Sequence, residues 1–488
     1  MPGVHARPTG GGHDAPPNFV FILADDLRED EMEVGFNRSL PGRRSALQTE
    51  LIDQGATLPN FFVTTPLCCP SRVSFLTGQY AHNHGVYSNS ALVSEPPGFG
   101  GLPRFYNDER DLTSLGAWLQ AAGYHTALVG KYLNGYPNRQ GLDQQGVTED
   151  YVPRGWDEWY STFLYDADFS YHSFRGNENG EIVRHDEHHL SDLEAHHAVD
   201  YIRRRADRGP FLLSINTYAP HAPSQPRPED DEVHQRAGVV PPLPASCDEA
   251  DLSDKPSHIR HEAALRDHPD CWSDFWSKRL DMTLATDDLI GAVVDELDRQ
   301  GVLDNTYILF ASDNGVLRGE HHIGGKSVPY EESVRVPLVV RGPGVPSGQT
   351  LDHLVANIDI APTLLDLARS SLPGTSPPVD GESLVPVLLD ALPTGRWRDA
   401  VLLELASPIP ANVQPHDVPR YSAVRTRQHL YVEYETGEVE LYDLGADPHQ
   451  LDSMHDSAPP DLLARLQDQL EALRDCEGTG CTTAARLD

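Results

Sequence analysis

The first long apolar segment of the chain is Asn18-Phe-Val-Phe-Ile-Leu-Ala24, and the acidic pair Asp25-Asp26 follows it directly. The run has the length of a strand and is continuous rather than alternating, as is typical of a strand covered on both faces. The same pattern of an apolar run followed by polar residues returns at Thr126–Val129 before Lys131, at Phe211–Ile215 before His221, and at Thr306–Ser312 before Asp313 and Asn314. The sequence therefore predicts four buried strands that each end in polar residues.

Helical patterns lie between these runs, for example at Leu112–Ala122 and Trp276–Gln300. Strands that alternate with helices predict an α/β fold, here a large α/β/α sandwich around a mostly parallel, mixed central sheet. In such sheets, ligands bind beyond the carboxyl ends of the strands. We therefore expect one edge of the sheet to carry Asp25, Asp26, Lys131, His221, Asp313 and Asn314.

The pattern changes after about residue 385. Short alternating strands are predicted at Ala400–Leu405, Tyr421–Arg425, His429–Tyr434 and Val439–Tyr442, followed by one amphipathic helix over residues 461–474. This pattern predicts a small antiparallel sheet with one helix. The predicted organisation is a disordered tail at 1–17, a large domain at 18–385 and a small C-terminal α+β domain at 386–488.

The charge balance limits the possible partners. The chain carries 38 basic and 74 acidic residues, a formal net charge of −36, and only four of the basic residues are lysines. A field of that sign repels polyanions, so we expect no nucleic-acid partner. No run of about 18 apolar residues is present, so no membrane span is expected.

The cysteines and the N-terminal residues give conflicting indications of location. Residues 1–17 are polar and lack the apolar core of a signal peptide, which favours the cytoplasm. Cys476 and Cys481 bracket a short Gly-containing loop and could form a disulfide, which would favour an exported protein. Location therefore stays open, and so does the question whether Cys247 pairs with Cys271.

The most specific local motif is Cys68-Cys69-Pro70-Ser71-Arg72, followed by Leu76-Thr-Gly78. Because Pro70 suits a first helical turn, Cys68 is predicted to lie at a helix N-terminus, where unpaired N–H groups favour an anion. A thiolate of low pKa is one interpretation of Cys68, and an inert buried thiol is another.

This motif resembles the sequence at which sulfatases convert the first cysteine to formylglycine. Other segments resemble that family, within the alkaline-phosphatase superfamily, in the expected order: Asn18–Asp26, Gly130–Asn134, Ala219–Pro223, Ser312–Gly315, Gly325-Lys326, Pro329–Pro337, Asn357–Thr363 and Leu441–Pro448. The Gly-Lys-Tyr-Leu-Asn134 form, the doubled cysteine and the Cys-x₄-Cys ending are similar to the N-acetylglucosamine-6-sulfatase and arylsulfatase branch.

The resemblance implies a role for each site residue. Asp25, Asp26, Asp313 and Asn314 would bind one divalent metal, with Ca²⁺ favoured and Mg²⁺ possible, and the modified Cys68 would contact it. Arg72 would hold the hydrated aldehyde, and Lys131 and Lys326 would bind the sulfate oxygens. His221 would bind sulfate or protonate the leaving group. A formylglycine-generating enzyme would be the partner during maturation.

The chain departs from the family pattern after its first lysine. Many sulfatases have a histidine two residues later, where this chain has Leu133, and Asn134 is the candidate to take over part of that role. Four more histidines near the motifs are expected in solvated loops: His82, His84, His321 and His322.

Four aromatic side chains could stack on a sugar: Trp156, Trp159, Tyr171 and Trp272. Core packing is the expected role for most of them. The expected function is hydrolysis of a small-molecule or glycan sulfate ester. The alternatives are a phosphate or phosphonate ester hydrolase of the same superfamily and an inactive relative that binds sulfated glycans.

Overall fold

The computed structural model of this chain describes residues 15–36, 40–90, 92, 94–137, 148–164, 166–239, 243–265, 271, 274–389, 397–410 and 417–486. Its strands are β1 (Asn18–Ala24), β2 (Ala56–Thr57), β3 (Phe61–Phe62), β4 (His125–Gly130), β5 (Glu158–Thr162), β6 (Phe174–Glu178), β7 (Glu181–His185), β8 (Phe211–Asn216), β9 (Thr306–Ser312), β10 (Leu317–Arg318), β11 (Gly324–Gly325), β12 (Leu338–Arg341), β13 (Gln349–Thr350), β14 (Val355–Ala356), β15 (Ala400–Leu405), β16 (Tyr421–Thr426), β17 (His429–Tyr434) and β18 (Val439–Asp443).

The α-helices are α1 (Glu29–Val34), α2 (Cys68–Thr77), α3 (Ala81–His84), α4 (Gly101–Asn107), α5 (Leu115–Ala121), α6 (Leu190–Arg205), α7 (Val233–Arg236), α8 (Ser257–Leu265), α9 (Asp274–Arg299), α10 (Glu331–Val334), α11 (Ile360–Leu367), α12 (Val385–Leu388), α13 (Pro460–Arg474) and α14 (Thr479–Ala484). The predicted helix at Leu112–Ala122 is interrupted: a 3₁₀ turn at Arg110–Thr113 precedes α5, because Ser114 between them is extended.

A ten-stranded mixed sheet forms the centre of the large domain. Its strand order is β13-β2-β12-β9-β1-β8-β4-β5-β6-β7. The middle of the sheet is parallel, because β1 pairs in parallel with both β8 and β9, and β4 pairs in parallel with β8 and β5. Antiparallel strands flank this middle on both sides, β12 against β9 and β6 against β5. The predicted mixed, mostly parallel sheet is confirmed.

The alternating residues of β1 show why its sequence is continuously apolar. Phe19, Phe21 and Leu23 belong to one buried cluster, which includes apolar residues of α2, α5 and α11. Val20 and Ile22 belong to a second cluster, with apolar residues of α6 and α9. Both faces of the sheet are therefore covered by helices, as an α/β/α sandwich requires.

The second, smaller sheet is antiparallel, with the order β15-β16-β17-β18. Its apolar residues form one cluster with Leu466, Leu470 and Leu473 of α13. The short helix α14 follows the predicted helix, so this region has two helices after the sheet instead of one. The predicted domain boundary at 385/386 falls within α12, and it stays a prediction.

Two disulfides are present, Cys247–Cys271 and Cys476–Cys481. Among the described residues, Cys68 and Cys69 are the free cysteines, and both are buried. In the same part of the chain, no helix combines the length and the apolar composition that crossing a membrane requires.

Candidate active site

The candidate residues meet at the carboxyl edge of the parallel strands. Asp25 follows β1, Lys131 follows β4, and Asp313 follows β9. The main chain ties these strand ends together, since the Asp313 N–H donates to the carbonyl of Ala24 at 3.1 Å and the Lys131 N–H donates to the carbonyl of Asn216 at 2.8 Å. The sheet itself therefore brings residues from distant parts of the sequence to one place.

Cys68 is the first residue of α2, which confirms its predicted position at a helix N-terminus. Residue 67 before it is extended, and Gly78 ends the helix in the left-handed conformation (φ 67°). The Cys68 sulfur lies 2.8 Å from the amine of Lys326 and 3.7 Å from a carboxylate oxygen of Asp25. The end of this helix therefore presents the sulfur to the carboxylates of the sheet edge.

Burial favours the protonated form of the Cys68 thiol. Burial raises the pKa of this thiol to about 11, although Lys131 and Lys326 act in the opposite direction. The interpretation of Cys68 as a thiolate of low pKa is therefore wrong, because the desolvation of a fully buried sulfur outweighs two neighbouring positive charges.

Four side chains offer a compact set of possible metal ligands. Donor atoms of Asp25, Asp26, Cys68 and His221 all lie within 4.8 Å of one another. His221 belongs to this set, whereas the sequence assigned it to sulfate or the leaving group. Within the described residues this is the one such cluster that contains at least three acidic, cysteine or histidine side chains.

Asp313 and Asn314 border this cluster through Asp26. The Asn314 amide donates to a carboxylate oxygen of Asp26 at 2.6 Å, and the Asp26 N–H donates to Asp313 at 3.1 Å. Asp26 itself has a positive φ of 65°, which a non-glycine residue rarely adopts. Backbone strain at functional sites costs about 1–3 kcal/mol, and the surrounding contacts maintain it.

Three cations balance the carboxylates. The Lys131 amine lies 2.5 Å from Asp25, and the Lys326 amine donates to Asp26. The Arg72 guanidinium donates to Asp313 at 2.7 Å and to the carbonyl of Lys131 at 3.2 Å. All three cations are almost completely buried, so three positive charges offset three carboxylates inside a strongly acidic protein.

The pKa values of the carboxylates follow from this packing. Burial by itself would raise the pKa of Asp25, but Lys131, His221 and Arg72 hold it below its usual value. The pKa of Asp26 is also lowered, mainly by Lys326 against the effect of burial. Burial and the charge of Asp25 raise the pKa of Asp313 to about 6.

His221 is the most accessible of the site side chains, with 26% of its side chain exposed. Its Nδ1 donates to the carbonyl of Ala222 at 2.7 Å, since a carbonyl can only accept. The neutral ring therefore leaves Nε2 unprotonated, 3.6 Å from a carboxylate oxygen of Asp26. Tyr218 stacks on the ring at 4.6 Å and fixes its plane. Burial lowers the pKa of His221, against the raising effect of the two carboxylates.

The expectation that four further histidines lie in solvated loops is wrong. His84 is fully buried with its Nε2 3.2 Å from the Ser74 hydroxyl, and His321 is fully buried against Glu249 at 2.6 Å. His322 is buried and His82 is mostly buried, with partners at Glu249 and Glu404. Each ring satisfies a specific partner, which a local sequence pattern does not reveal.

Three of the four aromatic side chains considered for stacking are part of the core. Trp156, Trp159 and Tyr171 are buried, which agrees with the packing role expected for most of them. Trp272 lies outside the described residues. Leu133, at the position where many sulfatases have a histidine, packs in the apolar cluster on the α2 face of the sheet. Asn134 is buried, and its suggested role in replacing that histidine stays a prediction.

Two residues that contact the site were missed in the sequence. Asn216, the last residue of β8, donates its amide to the carbonyl of Lys131 at 2.9 Å and accepts from Ser214. Arg279 of α9 donates to the carbonyls of Asp26 and Pro220. Neither residue belongs to one of the family-like motifs. Asn216 could have been identified by its position directly after the predicted strand Phe211–Ile215.

Known protein families match this chain over most of its length. The family model described as sulfatase matches residues 17–370, and the model described as the C-terminal part of N-sulphoglucosamine sulphohydrolase matches residues 319–476. The N-acetylglucosamine-6-sulfatase of Capra hircus is 32% identical over 97% of this chain and 86% of its own length. The arylsulfatase of Chlamydomonas reinhardtii is 30% identical over 96% of this chain and 76% of its own length.

Solved structures share the fold. A protein in complex with its substrate D-glucosamine-2-N,6-O-disulfate superposes with a TM-score of 0.75 at 23% identity, over 93% of this chain and 97% of that one. A phosphonate monoester hydrolase from Silicibacter pomeroyi superposes with a TM-score of 0.70 at 22% identity, over 95% of this chain and 96% of that one. Because one family model covers well over half of the chain and relatives of 30% identity or more align along almost all of it, the chain belongs to the sulfatase family and is a hydrolase of sulfate esters.

Proposed function

We propose that this enzyme removes sulfate from sugar sulfate esters, with a formylglycine made from Cys68 and a divalent cation held by Asp25, Asp26, Asp313 and Asn314. The observation that carries the proposal is the convergence of the Cys68 sulfur, the acidic side chains and two buried lysines in one place. The sugar class is supported by the N-acetylglucosamine-6-sulfatases among the relatives.

The donor set fits a hard cation. Three carboxylates and one amide supply oxygen ligands, which suit Ca²⁺ or Mg²⁺, and we favour Ca²⁺. In the protein alone, Lys131 and Lys326 pair with Asp25 and Asp26, so these ion pairs would open when a cation takes the carboxylates and the amines turn to sulfate. A bound cation would supply Lewis-acid activation of a hydroxyl and of the sulfate.

We infer that position 68 carries a nucleophile other than the thiol. The thiol is buried and its pKa is raised to about 11, so it is a poor nucleophile at neutral pH. Formylglycine in its hydrated form would supply one hydroxyl for attack on sulfur and a second through which sulfate is released again. A serine at this position would supply only the first of these.

The remaining residues bind and orient the substrate. Lys131 and Lys326 direct their amines into the cluster and would pair with sulfate oxygens, which offsets the repulsion expected from the net charge of −36. Arg72 is fixed by Asp313 and would hold the side chain at position 68 in place. His221 faces the cluster with Nε2 and is partly exposed, so we propose that its charged form, with protons on both ring nitrogens, gives the Nε2 proton to the leaving alcohol.

Mass spectrometry of the peptide Phe61–Arg72 from the native host tests the nucleophile. The expected result is formylglycine at position 68 in the wild type and in Cys69→Ala, and no aldehyde in Cys68→Ala. Unmodified Cys68 from a host that contains the converting enzyme would contradict the proposed mechanism.

A phosphonate or phosphate ester hydrolase is the second candidate function, because a phosphonate monoester hydrolase shares the fold. Turnover of paired aryl sulfate and aryl phosphate substrates separates the two activities. Faster sulfate turnover supports the proposal, and faster phosphate turnover overturns it. Retention of a sulfated glycan without turnover of either ester would instead identify an inactive binding relative.

A further inference from the structure

Arg279, in the first half of helix α9, makes four hydrogen bonds below the candidate active site. Its Nη2 donates to the carbonyl of Asp26 at 2.6 Å, and its Nη1 donates to the carbonyl of Pro220 at 3.1 Å. The Nε and Nη2 groups also donate to the carboxylate of Glu31 at 3.2 and 2.9 Å. Only 2% of the residue is exposed, and Trp276 packs over the guanidinium at 5.1 Å.

The two carbonyls belong to two of the segments that build the site. Asp26 is one of the proposed metal ligands, and its backbone has the unusual φ of 65°. Pro220 directly precedes His221, the proposed proton donor. A direct main-chain hydrogen bond, from Asp25 N–H to the carbonyl of Ala219 at 3.3 Å, also joins these segments. Arg279 is therefore a second connection between them.

The chemistry of the side chain suits this role. A guanidinium offers five N–H donors in a rigid plane, so one residue can reach two carbonyls and one carboxylate at once. Glu31 balances the charge that burial would otherwise make costly. A lysine would retain the charge but could not reach all of these acceptors from one compact ammonium group.

We propose that Arg279 is a positioning residue that holds Asp26 and His221 in register, so that the cation site and the proton donor form as one unit. The inference rests on the proposed function, because it uses the roles assigned there to Asp26 and His221. It predicts that a change at Arg279 alters cation affinity and proton transfer together. The side chain would do so through the main chain, since it contacts the carbonyls of Asp26 and Pro220.

The competing explanation is that Arg279 is a structural ion pair. Arg398 provides the matched control, since it is also buried and pairs with Asp359 at 2.5 Å. Replacement by lysine at either position keeps one positive charge beside its carboxylate. A purely structural role predicts similar behaviour of the two variants, whereas a positioning role predicts different behaviour.

The experiment compares Arg279→Lys and Arg398→Lys with the wild type as full-length, purified protein. Isothermal titration with Ca²⁺ alone measures cation affinity, and aryl sulfate turnover across pH measures kcat and KM. For Arg279→Lys we expect a loss of about 10- to 100-fold in Ca²⁺ affinity, the range for residues that orient metal ligands. We also expect a lower kcat with little change in KM, and a shifted pH profile.

For Arg398→Lys we expect a lower Tm with Ca²⁺ affinity and pH profile as in the wild type. Wild-type affinity and an unchanged profile in Arg279→Lys would overturn the inference while the proposed function stands. Should Arg279→Lys fail to fold, Glu31→Gln replaces it as the test. This variant keeps both carbonyl contacts of Arg279, so its Ca²⁺ affinity should stay within about 3-fold of the wild type. A loss of about 10-fold or more would assign the effect to the ion pair. If the wild type neither binds a divalent cation nor turns over aryl sulfate, the proposed function fails and the inference falls with it.

Discussion

The amine of Lys326 lies 2.8 Å from the sulfur of Cys68, although the two residues are 258 positions apart in the chain. The same amine donates to Asp26 and lies 3.4 Å from the amide oxygen of Asn314. It therefore stands between the position of the nucleophile and the oxygen ligands. A negatively charged sulfate that binds at Cys68 would lie beside this cation.

Replacement of Lys326 by glutamine should lower kcat/KM for an aryl sulfate by about 100-fold or more, because an oriented charged donor in a buried site is lost. The matched control is Lys278→Gln, since Lys278 is an exposed lysine on α9. The control should keep wild-type kinetics. Equal kinetics of the two variants would remove Lys326 from the site.

Removal of divalent cations with a chelator should abolish sulfate turnover and lower Tm, because a ligand that binds only the folded state stabilises it. Addition of Ca²⁺ should restore both, and the comparison with Mg²⁺ identifies the preferred ion. Asp26→Asn should weaken Ca²⁺ binding, whereas Asp207→Asn, at a carboxylate whose side chain is 85% exposed, should not. Full activity in chelator would contradict the metal assignment.

Part of the fold could be predicted because strands buried on both faces appear in the sequence as continuous apolar segments. The predicted strands at Asn18–Ala24 and Thr306–Ser312 match β1 and β9 residue for residue. Both lie in the middle of the sheet, where helices cover each face and the interior positions of a strand are apolar. The polar residues after them could be assigned to one edge because the parallel strands of such a sheet end on the same side.

Other features could not be predicted because they depend on contacts between distant segments. The π-helical turn at Leu47–Ile52 and the short edge strands of the large sheet have no clear period. The role of Arg279 depends on hydrogen bonds to two main-chain carbonyls. Every residue has such a carbonyl, so these contacts leave no pattern in the sequence. The burial of His321 depends likewise on Glu249, which lies 72 positions away.

His82 should make stability depend on pH. Its Nδ1 contacts the Glu404 carboxylate at 3.0 Å and its Nε2 contacts the carbonyl of Cys476 at 2.9 Å, and both partners only accept. Both ring nitrogens must then donate, which favours the charged ring. Burial would lower the pKa of His82, but Glu404 raises it from 6.5 to about 9.

Since the pKa is raised in the folded state, the stabilisation is complete below pH 6.5 and is lost as the pH rises through about 9. The Tm of the wild type should therefore exceed that of His82→Gln by at least about 2 °C at pH 6, and the difference should vanish near pH 10. Glu404→Gln should show the same loss at pH 6. A difference in Tm that is constant with pH would assign the contribution of His82 to packing instead of charge.

Alanine substitutions at Gly130 and Gly123 distinguish the effect of a steric clash from the effect of a strained backbone conformation. Gly130 precedes Lys131 with a φ of 96°, and a Cβ at this position would lie 2.2 Å from the carbonyl oxygen of Asn216. That oxygen also accepts the Lys131 N–H at 2.8 Å, so it cannot move away without displacing the lysine.

Gly123 is the matched control, since its φ is 90° but a Cβ there would meet nothing within 4 Å. Gly123→Ala should cost only the left-handed strain, about 1–2 kcal/mol, and keep wild-type turnover. Gly130→Ala should lower Tm further and reduce kcat/KM for aryl sulfate by about 10-fold or more, because a displaced lysine no longer meets the sulfate. Equal effects of the two alanines on Tm and turnover would show that the Gly130–Asn216 contact does not position Lys131.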